Sequence, residues 1–439
     1  MNSKHQPIAL WRQLQAVSAV LQAILAGRSA TAAIESVQAE LRPGVQSLSF
    51  YALRYFGRAQ ALRKLLATRT PPAGVEALLC TALALLWQRE AAPYDAFTLV
   101  NQAVECAKKT PSMRPHASFI NACLRRFLRE RDSLSSQTNA DPVAHWNHPA
   151  WWIAQLQTDW PQHWECILQV NEKQAPMALR VNTRRIATDA YLTLLHQTGI
   201  NAKRINPWGI ELTVAQPVQQ LPGFADGWVS VQDAAAQLAA GLLLSNGFMP
   251  RRVLDACAAP GGKTAHLLEL AELEVTALDI DSKRCQRIHE NLQRLGVHAH
   301  VLAADACDTA TWFNGEPFDA ILLDAPCTGS GVVRRHPDIR WLRRASDVAQ
   351  LAQNQARLLH SLWPLLKPGG RLLYCTCSVF RAEGIAQIEA FLAHNTNAAL
   401  LPSPGHLLPG QCATTQGIVD NLAHDHDGFY YALLEKSAH

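Results

Sequence analysis

The sequence Asp255-Ala-Cys-Ala-Ala-Pro-Gly-Gly-Lys-Thr264 predicts the fold of the region around it. It follows Arg251-Arg-Val-Leu254, which is interpreted as the start of a buried strand, and precedes a helix-like stretch at 265–271. A strand, a glycine-containing turn and a helix allow the backbone to approach a nucleotide-like ligand closely. The phosphate-loop pattern is absent, because Cys257 holds the place of its first glycine, and so is the dinucleotide pattern G-x-G-x-x-G. The stretch therefore predicts a nucleotide-type site and leaves the ligand open.

Strands and helices alternate from about residue 248 onward. The apolar runs predict strands at 252–255, 275–279, 299–303, 320–324 and 371–375. Helices are predicted at 263–271, 283–295, 348–366 and 382–393. This alternation predicts a parallel, doubly wound, Rossmann-like sheet that binds its ligand at the carboxyl edge.

The composition is that of an ordinary globular protein with more than one domain. The chain has 439 residues, of which 48% are hydrophobic and 17% charged, so two or three domains are expected. No apolar run approaches the length of a membrane span, and the N-terminus lacks the features of a signal peptide, so we expect a cytoplasmic protein. The net charge of +4 permits a polyanionic partner without requiring one.

The eleven cysteines indicate thiols rather than a disulfide framework, because no secretory signal accompanies them. None is arranged in C-x2-C pairs, so no metal site is predicted.

The N-terminal region is predicted to be helical, with apolar residues at helical spacing. Arg125 and Arg126 lie beside Asn121 on its last helix and form either a solvated basic face or an RNA phosphate contact. The polar stretch 132–141 is interpreted as a linker. Two short strands and a helix within 175–225 predict a small α/β unit before the alternating region. These patterns divide the chain into residues 1–133, 134–225 and 226–439.

Acidic residues end or follow successive strands of the predicted sheet. Asp279 lies 24 residues after Asp255, where an acid can accept hydrogen bonds from a ribose diol. Asp305 and Asp324 follow the next two strands. A single aspartate at a strand end is usually a helix cap, but three in one sheet favour a nucleoside-bearing cofactor.

Two cysteine-containing segments reach the same edge of the sheet. Cys327 lies in the loop after Asp324, and Cys377 follows the strand that contains Cys375. Single cysteines are commonly inert core thiols, and these could also belong to a metal site or a redox pair. A thiolate nucleophile that adds to an electron-poor ring fits the combination of cysteines, acid and nucleoside-type cofactor best.

Several motifs resemble known families. The sequence Leu99-Val-Asn-Gln-Ala-Val-Glu-Cys-Ala-Lys-Lys109, followed by Phe119-Ile-Asn-Ala-Cys-Leu-Arg-Arg126, resembles the NusB-type RNA-binding helical domain. The stretch 255–264, Asp324-Ala-Pro-Cys327 and Thr376-Cys-Ser378 together resemble the RNA 5-cytosine methyltransferases. Segments 334–341 and 427–432 are similar to that family too. The combination resembles its bacterial members that act on 16S rRNA.

The resemblance implies a multidomain fold: an all-α NusB-like domain, a small α/β RRM- or ferredoxin-like subdomain and an α/β Rossmann-like methyltransferase domain. It implies S-adenosyl-L-methionine as cofactor, 16S rRNA as partner and a monomeric protein. The residues implied for cofactor binding are Cys257, Ala258, Ala259, Pro260, Gly261, Gly262, Lys263, Asp279, Asp305 and Asp324.

The resemblance further implies that Cys377 adds to carbon-6 of cytosine and that Cys327 assists product release. Asp324 would border the base, and a protonated Asp324 could hydrogen-bond to ring nitrogen-3. Candidate RNA contacts are Arg125, Arg126, Arg180, Arg334, Arg335 and Arg340.

The sequence departs from the family pattern at two places. The loop after Asp324 reads Cys-Thr-Gly-Ser-Gly, a conservative exchange of hydroxyl residues. After Cys377, Ala382-Glu-Gly384 replaces Glu-Glu-Asn, so only Glu383 matches. Two alternatives stay open: the same chemistry on tRNA or another rRNA cytosine, or an RNA-binding assembly factor with an idle methyltransferase domain.

Overall fold

The computed structural model describes residues 8–88, 92–410, 412 and 425–437. The chain forms two compact units. The first contains Met1–Lys173 and Val333–Arg344, and the second contains Gln174–Val332 and Ala345–His439. The first unit therefore contains a short segment that is separated in sequence from its main part.

The first unit is a bundle of helices around one hydrophobic core. Its helices are α1 (Leu10–Leu25), α2 (Ala30–Glu35), α3 (Arg42–Arg54), α4 (Phe56–Leu66), α5 (Ala73–Leu86), α6 (Ala96–Lys109), α7 (Ala117–Thr138), α8 (Pro142–Trp146), α9 (Ala150–Asp159) and α10 (Trp164–Glu172). Nearly every side chain of α5 is buried, which explains why its sequence is apolar on all sides. Asp95 caps α6 by accepting a hydrogen bond from the N–H of Thr98.

The polar stretch interpreted as a linker is largely helical, so that interpretation is wrong. Helix α7 continues to Thr138, with a kink at Glu130, where the backbone leaves helical φ and ψ angles. Leu134 and Thr138 are buried, so one face of this stretch packs against the bundle.

The segment Val333–Arg344 contributes helix α15 (Ile339–Leu342) to the first unit. The indole of Trp341 contacts the ring of Phe56 edge-on, with 5.3 Å between ring centroids. The carboxylate of Asp338 accepts a hydrogen bond from the N–H of Ala30 at 2.8 Å. The segment is therefore part of the folded core of this unit.

Two of the predicted RNA contacts lie within this segment and are wrong. Arg340 is fully buried, and its guanidinium donates hydrogen bonds to the main-chain oxygens of Asn147 and Asn171 at 3.1 and 2.8 Å. Arg334 is also buried, and its main-chain oxygen accepts a hydrogen bond from Arg54. Buried guanidinium groups are not available to a phosphate backbone.

The second unit begins with a small antiparallel sheet in the order β2-β3-β1-β4. Its elements are β1 (Met177–Val181), α11 (Thr188–Gln197), β2 (Ala202–Arg204), β3 (Gly209–Leu212) and β4 (Val229–Val231). Leu179 and Ile210 of the sheet pack against Tyr191 and Leu195 of the helix.

The larger sheet has the order β10-β11-β9-β8-β5-β6-β7. Its strands are β5 (Arg252–Ala256), β6 (Glu274–Asp279), β7 (His300–Ala303), β8 (Phe318–Asp324), β9 (Leu366–Thr376), β10 (Ala398–Leu407) and β11 (Phe429–Lys436). Strands β5 to β9 are parallel, whereas β11 runs antiparallel to both β9 and β10. The five strands that the sequence predicted, β5 to β9, are parallel as expected, and β10 and β11, which were not predicted, add an antiparallel edge.

Helices cover both faces of this sheet: α12 (Leu238–Leu243), α13 (Gly262–Leu270), α14 (Ser282–Leu295), α16 (Ala345–Leu362) and α17 (Ile385–His394). Val253 of β5 belongs to the core on the side of α12 to α14, and its neighbour Leu254 to the core on the side of α16 and α17. Consecutive strand residues point to opposite faces, which explains the continuous apolar runs. In the described ranges, no helix has the length and apolar composition to cross a bilayer.

Candidate active site

The turn after β5 is held in a conformation that requires glycine. Gly261 has a φ of 93° and precedes the first residue of α13. A Cβ atom at this position would lie 3.1 Å from Cγ2 of Ile288 on α14. The positive φ and the close approach of α14 together explain why glycine stands here. The turn thereby lies close against the neighbouring strand and helix.

Asp279 ends β6 beside this turn, as the sequence predicted. Its side chain is almost fully buried and accepts hydrogen bonds from the N–H groups of Ala259 and Asp281 at 3.1 and 3.2 Å. Arg284 lies 3.3 Å from the same carboxylate. These contacts fix the orientation of the carboxylate at the carboxyl edge of the sheet.

A small cavity of about 90 Å³ opens at this edge. It is lined by Cys257, Leu278, Asp279, Ile280, Arg284, Ala304, Asp305, Ala306, Pro326, Asn354, Arg357 and Leu358. Carboxylates that can accept hydrogen bonds from ribose hydroxyls stand beside apolar side chains that suit a purine ring, so the lining fits the adenosine part of S-adenosylmethionine.

Some of these wall residues were absent from the sequence-based predictions. Ile280 is 71% exposed although it is apolar, and Asn354 and Arg357 come from α16. The position of Ile280 directly after Asp279 was an available signal. Asn354 and Arg357 carried no signal in the sequence, because polar residues on an amphipathic helix are usually exposed to solvent.

Asp324 forms an ion pair with Lys263 at the end of β8. The Nζ atom of Lys263 lies 2.5 Å from Oδ2 of Asp324, and the lysine side chain is only 12% exposed. Burial lowers the pKa of Lys263, but the charge of Asp324 outweighs it, so the pKa is raised and the amine stays protonated. The ammonium of Lys263 therefore donates a hydrogen bond to the carboxylate of Asp324 at the end of β8.

A second acid lies close to this pair inside the fold. Asp255 is fully buried and accepts a hydrogen bond from the hydroxyl of Thr264 at 2.5 Å. Burial raises the pKa of Asp255 to about 7, with the charge of Asp324 acting in the same direction. Asp255 is therefore partly protonated near neutral pH.

The structure brings the two predicted active cysteines together. The Sγ atoms of Cys327 and Cys377 are 3.4 Å apart. The contact with Cys377 and the burial of the site raise the pKa of Cys327, so Cys327 stays a thiol at neutral pH. Cys375 is fully buried, its thiol donates to Asp324 at 3.5 Å, and burial raises its pKa. Burial likewise raises the pKa of Cys257, which argues against a thiolate there.

The predicted arginine contacts separate into exposed and buried groups. Arg125 is exposed and donates to Asn121, and Arg126 forms an ion pair with Glu130. Arg335 is partly exposed. Arg180 is fully buried and forms a bidentate ion pair with Glu269, so the prediction that Arg180 contacts RNA is wrong.

The open sheet, the glycine turn and the cavity at the carboxyl edge are typical of α/β enzymes that bind a nucleoside-bearing cofactor. Three family models match the chain: the NusB family at residues 9–129, the RsmF/B-like ferredoxin-like domain at 148–219, and the 16S rRNA methyltransferase RsmB/F family at 246–435. The chain belongs to the RsmB/F family.

Individual relatives support this assignment over the full length. The ribosomal RNA small subunit methyltransferase B of Pseudomonas putida is 43% identical over 446 residues, covering 96% of this chain and 98% of the relative. The crystal structure of PH0851 is similar with a TM-score of 0.76 at 25% identity, covering 96% and 99% of the two chains. A methyltransferase homologue from Pyrococcus horikoshii gives a TM-score of 0.56 at 27% identity, covering 67% and 98%.

These findings confirm the predicted fold class, cofactor and type of enzyme. The chain combines a helical NusB region, a small ferredoxin-like domain and a methyltransferase domain. It is an S-adenosylmethionine-dependent rRNA methyltransferase.

Proposed function

We propose that this protein methylates carbon-5 of one cytosine in 16S rRNA through a covalent bond between Cys377 and the base. The observation that carries this proposal is the placement of Cys377 3.4 Å from a second thiol, on the sheet edge that bears the Lys263–Asp324 pair. The family model and the relatives named for the small ribosomal subunit support 16S rRNA as the substrate.

The chain is assigned three domains, predicted at residues 1–133, 134–225 and 226–439, but the first of these boundaries falls inside helix α7, which packs in the first unit. The boundaries are supported by the separate family matches at 9–129, 148–219 and 246–435. The exposed Arg125 and the half-buried Arg126 and Arg335 remain candidates for RNA contacts, since cationic side chains at a protein surface attract the phosphate backbone. A monomeric state and a cytoplasmic location remain expectations.

Cys377 is the proposed nucleophile because it occupies the Thr-Cys-Ser position of the family motif, whereas the two thiols near it are held protonated. The raised pKa values of Cys327 and Cys375 keep both protonated at neutral pH. The Cys377 sulfur forms a bond to carbon-6 of cytosine, and the electron pair of the 5,6 double bond becomes available at carbon-5. S-adenosylmethionine, when bound, supplies an electrophilic methyl group to that carbon.

The Lys263–Asp324 pair is proposed to orient the base. The ammonium of Lys263 can donate to ring nitrogen-3 or oxygen-2, which stabilises charge that develops when the thiolate adds. A side-chain oxygen of Asp324 can accept a hydrogen bond from the exocyclic amino group of cytosine. The carbon-5 proton then passes to solvent, and its electron pair restores the 5,6 double bond as the Cys377–carbon-6 bond breaks. Cys327 assists this release of the methylated product.

For the cofactor, we propose that residues 257–263 form the cradle through their backbone. Asp279 accepts hydrogen bonds from the ribose hydroxyls, and Asp305 lies near the adenine. Both carboxylates line the cavity, and backbone N–H groups hold each of them. The ammonium of Lys263 donates to Asp324, so Lys263 would contribute only its backbone to the cradle.

The test is to replace each cysteine and to follow methylation and covalent capture of RNA. Cys377→Ser should lose methylation and form no protein–RNA adduct, whereas Cys327→Ala should accumulate an adduct on denaturing gels. Cys123→Ala is a matched control, since Cys123 is a buried thiol of the helical unit. Methylation that survives in Cys377→Ser would contradict the mechanism.

Bisulfite sequencing of RNA from cells that lack the protein identifies the substrate. Loss of one cytosine methylation in 16S rRNA is expected. Loss only in tRNA or another rRNA would support the alternative substrate, and no loss anywhere would support an assembly factor with an idle catalytic domain.

A further inference from the structure

Glu383 is a buried carboxylate that lies between the two cysteine segments. Its relative exposure is 0%, although glutamate is usually found at the surface. Oε1 accepts hydrogen bonds from the N–H of Thr328 at 2.8 Å and from the amide of Gln355 at 3.2 Å. Oε2 accepts from the hydroxyls of Thr328 at 2.5 Å and Ser378 at 2.6 Å. Both carboxylate oxygens are thus occupied by donors from three different elements.

The residues that Glu383 contacts are the immediate neighbours of the active thiols. Thr328 directly follows Cys327, and Ser378 directly follows Cys377. The main-chain oxygen of Glu383 also accepts a hydrogen bond from the hydroxyl of Thr376, on the other side of Cys377, at 3.2 Å. One residue therefore contacts the chain next to both sulfur atoms.

The donors around Glu383 explain why a carboxylate is required. An ionised carboxylate only accepts hydrogen bonds, and a glutamine would place an NH₂ group against some of these donors. Burial raises the pKa of Glu383, while its hydrogen bonds to Ser378 and Thr328 oppose that shift. Charge-assisted hydrogen bonds of this kind are stronger and more directional than neutral ones.

We propose that Glu383 is a positioning residue that sets the separation of the Cys327 and Cys377 sulfur atoms. This inference depends on the roles proposed above for the two thiols. The carboxylate binds the Cys327 loop through Thr328 and the Cys377 segment through Ser378, so loss of either bond frees one sulfur to move relative to the other. Catalysis is sensitive to such movement, because a misplacement of about 1 Å can cost about 100-fold in rate.

The first test compares Glu383→Gln with a control carboxylate at the opposite edge of the same sheet. Asp319→Asn is suitable, because Asp319 also accepts hydrogen bonds from backbone N–H groups, those of Arg251 and Arg252. Glu383→Gln should lower kcat about 10- to 100-fold and leave KM for RNA and Kd for S-adenosylmethionine within about threefold. Asp319→Asn should leave kcat unchanged. A kcat of wild-type size in Glu383→Gln would overturn the proposal.

The second test measures the separation of the thiols without any catalysis. Diamide takes two electrons and two protons from two adjacent thiols, which become a disulfide while the diazene becomes a hydrazine. The rate at which the Cys327–Cys377 disulfide forms is followed by peptide mass spectrometry. It should be at least fivefold lower in Glu383→Gln than in the wild type. An unchanged rate would overturn the inference even if Cys377 proved not to be the nucleophile.

A milder variant keeps the test informative if Glu383→Gln does not fold. Ser378→Ala removes one of the bonds to the carboxylate and leaves those from Thr328 and Gln355. We expect kcat and the disulfide rate to fall together by about three- to tenfold. A fall in kcat with an unchanged disulfide rate would show that the sulfur separation does not depend on this contact.

Discussion

The replacement Arg180→Met tests whether this arginine is a structural residue of the second unit. Arg180 is fully buried in β1, and its Nε and Nη2 atoms donate to the two carboxylate oxygens of Glu269 at 2.9 and 2.8 Å. Its Nη1 atom donates to Gln232 at 2.5 Å and to the main-chain oxygen of Gly262 at 2.7 Å. Methionine fills a similar volume but offers no donor.

The expected loss of stability is large because the charge of Glu269 would remain buried without its partner. Removing one member of a buried ion pair typically costs about 3–5 kcal/mol. For a unit of this size, that corresponds to a drop in unfolding temperature of roughly 6–20 °C. The matched control is Arg204→Met in the same small domain, since Arg204 forms a bidentate pair with Asp189 at an exposed position. Exposed pairs contribute about 0–1 kcal/mol, so this variant should unfold close to the wild type.

Two measurements decide between a structural and an RNA-binding role for Arg180. Thermal or urea unfolding measures the loss of stability. The dependence of RNA affinity on salt concentration measures the number of phosphate contacts. A phosphate contact would reduce the salt slope of binding by about one while leaving stability unchanged. That outcome would refute the assignment of Arg180 to the core.

Three further predictions concern residues in or beside the cofactor turn. Burial raises the pKa of Asp255 from its usual value to about 7. The folded state therefore binds more protons than the unfolded state between about pH 4 and 7. The contribution of Asp255 to stability falls as the pH rises through that window. Asp255→Asn removes this pH dependence. Measured by urea unfolding, the free energy of unfolding of the variant minus that of the wild type should be roughly 2–4 kcal/mol larger at pH 8 than at pH 4. Equal differences at the two pH values would contradict the buried-acid assignment. Gly261→Ala should lose about 1–2 kcal/mol of stability and bind S-adenosylmethionine more weakly, because its φ is 93° and Ile288 is close; wild-type stability and affinity would show that the turn tolerates a side chain. Asp279→Ala should weaken cofactor binding at least tenfold by calorimetry with RNA affinity unchanged, and an unaltered Kd would exclude this acid from the ribose site.

The sequence by itself determined the features that depend on local patterns. The apolar run before Asp255, the glycine turn and the helix after it predicted strand β5, the turn and α13, because strand and helix periodicity and glycine preference act over a few residues. The same reasoning placed Asp279, Asp305 and Asp324 at the carboxyl edge of one sheet, where the structure has them. Parallel strands bring their ends to a common edge whatever the details of packing.

Only the tertiary structure decided which charged groups are buried and what they contact. Arg180 and Glu269 are 89 residues apart, and Glu383 contacts Thr328 across 55 residues, so no local pattern reveals either arrangement. An arginine has the same identity in the sequence whether it faces phosphate or is buried against protein acceptors, which explains why Arg180 and Arg340 were misassigned. The sequence places the reactive groups at the sheet edge, whereas packing of distant segments fixes the separation of the two thiols and the ion pair between Asp324 and Lys263.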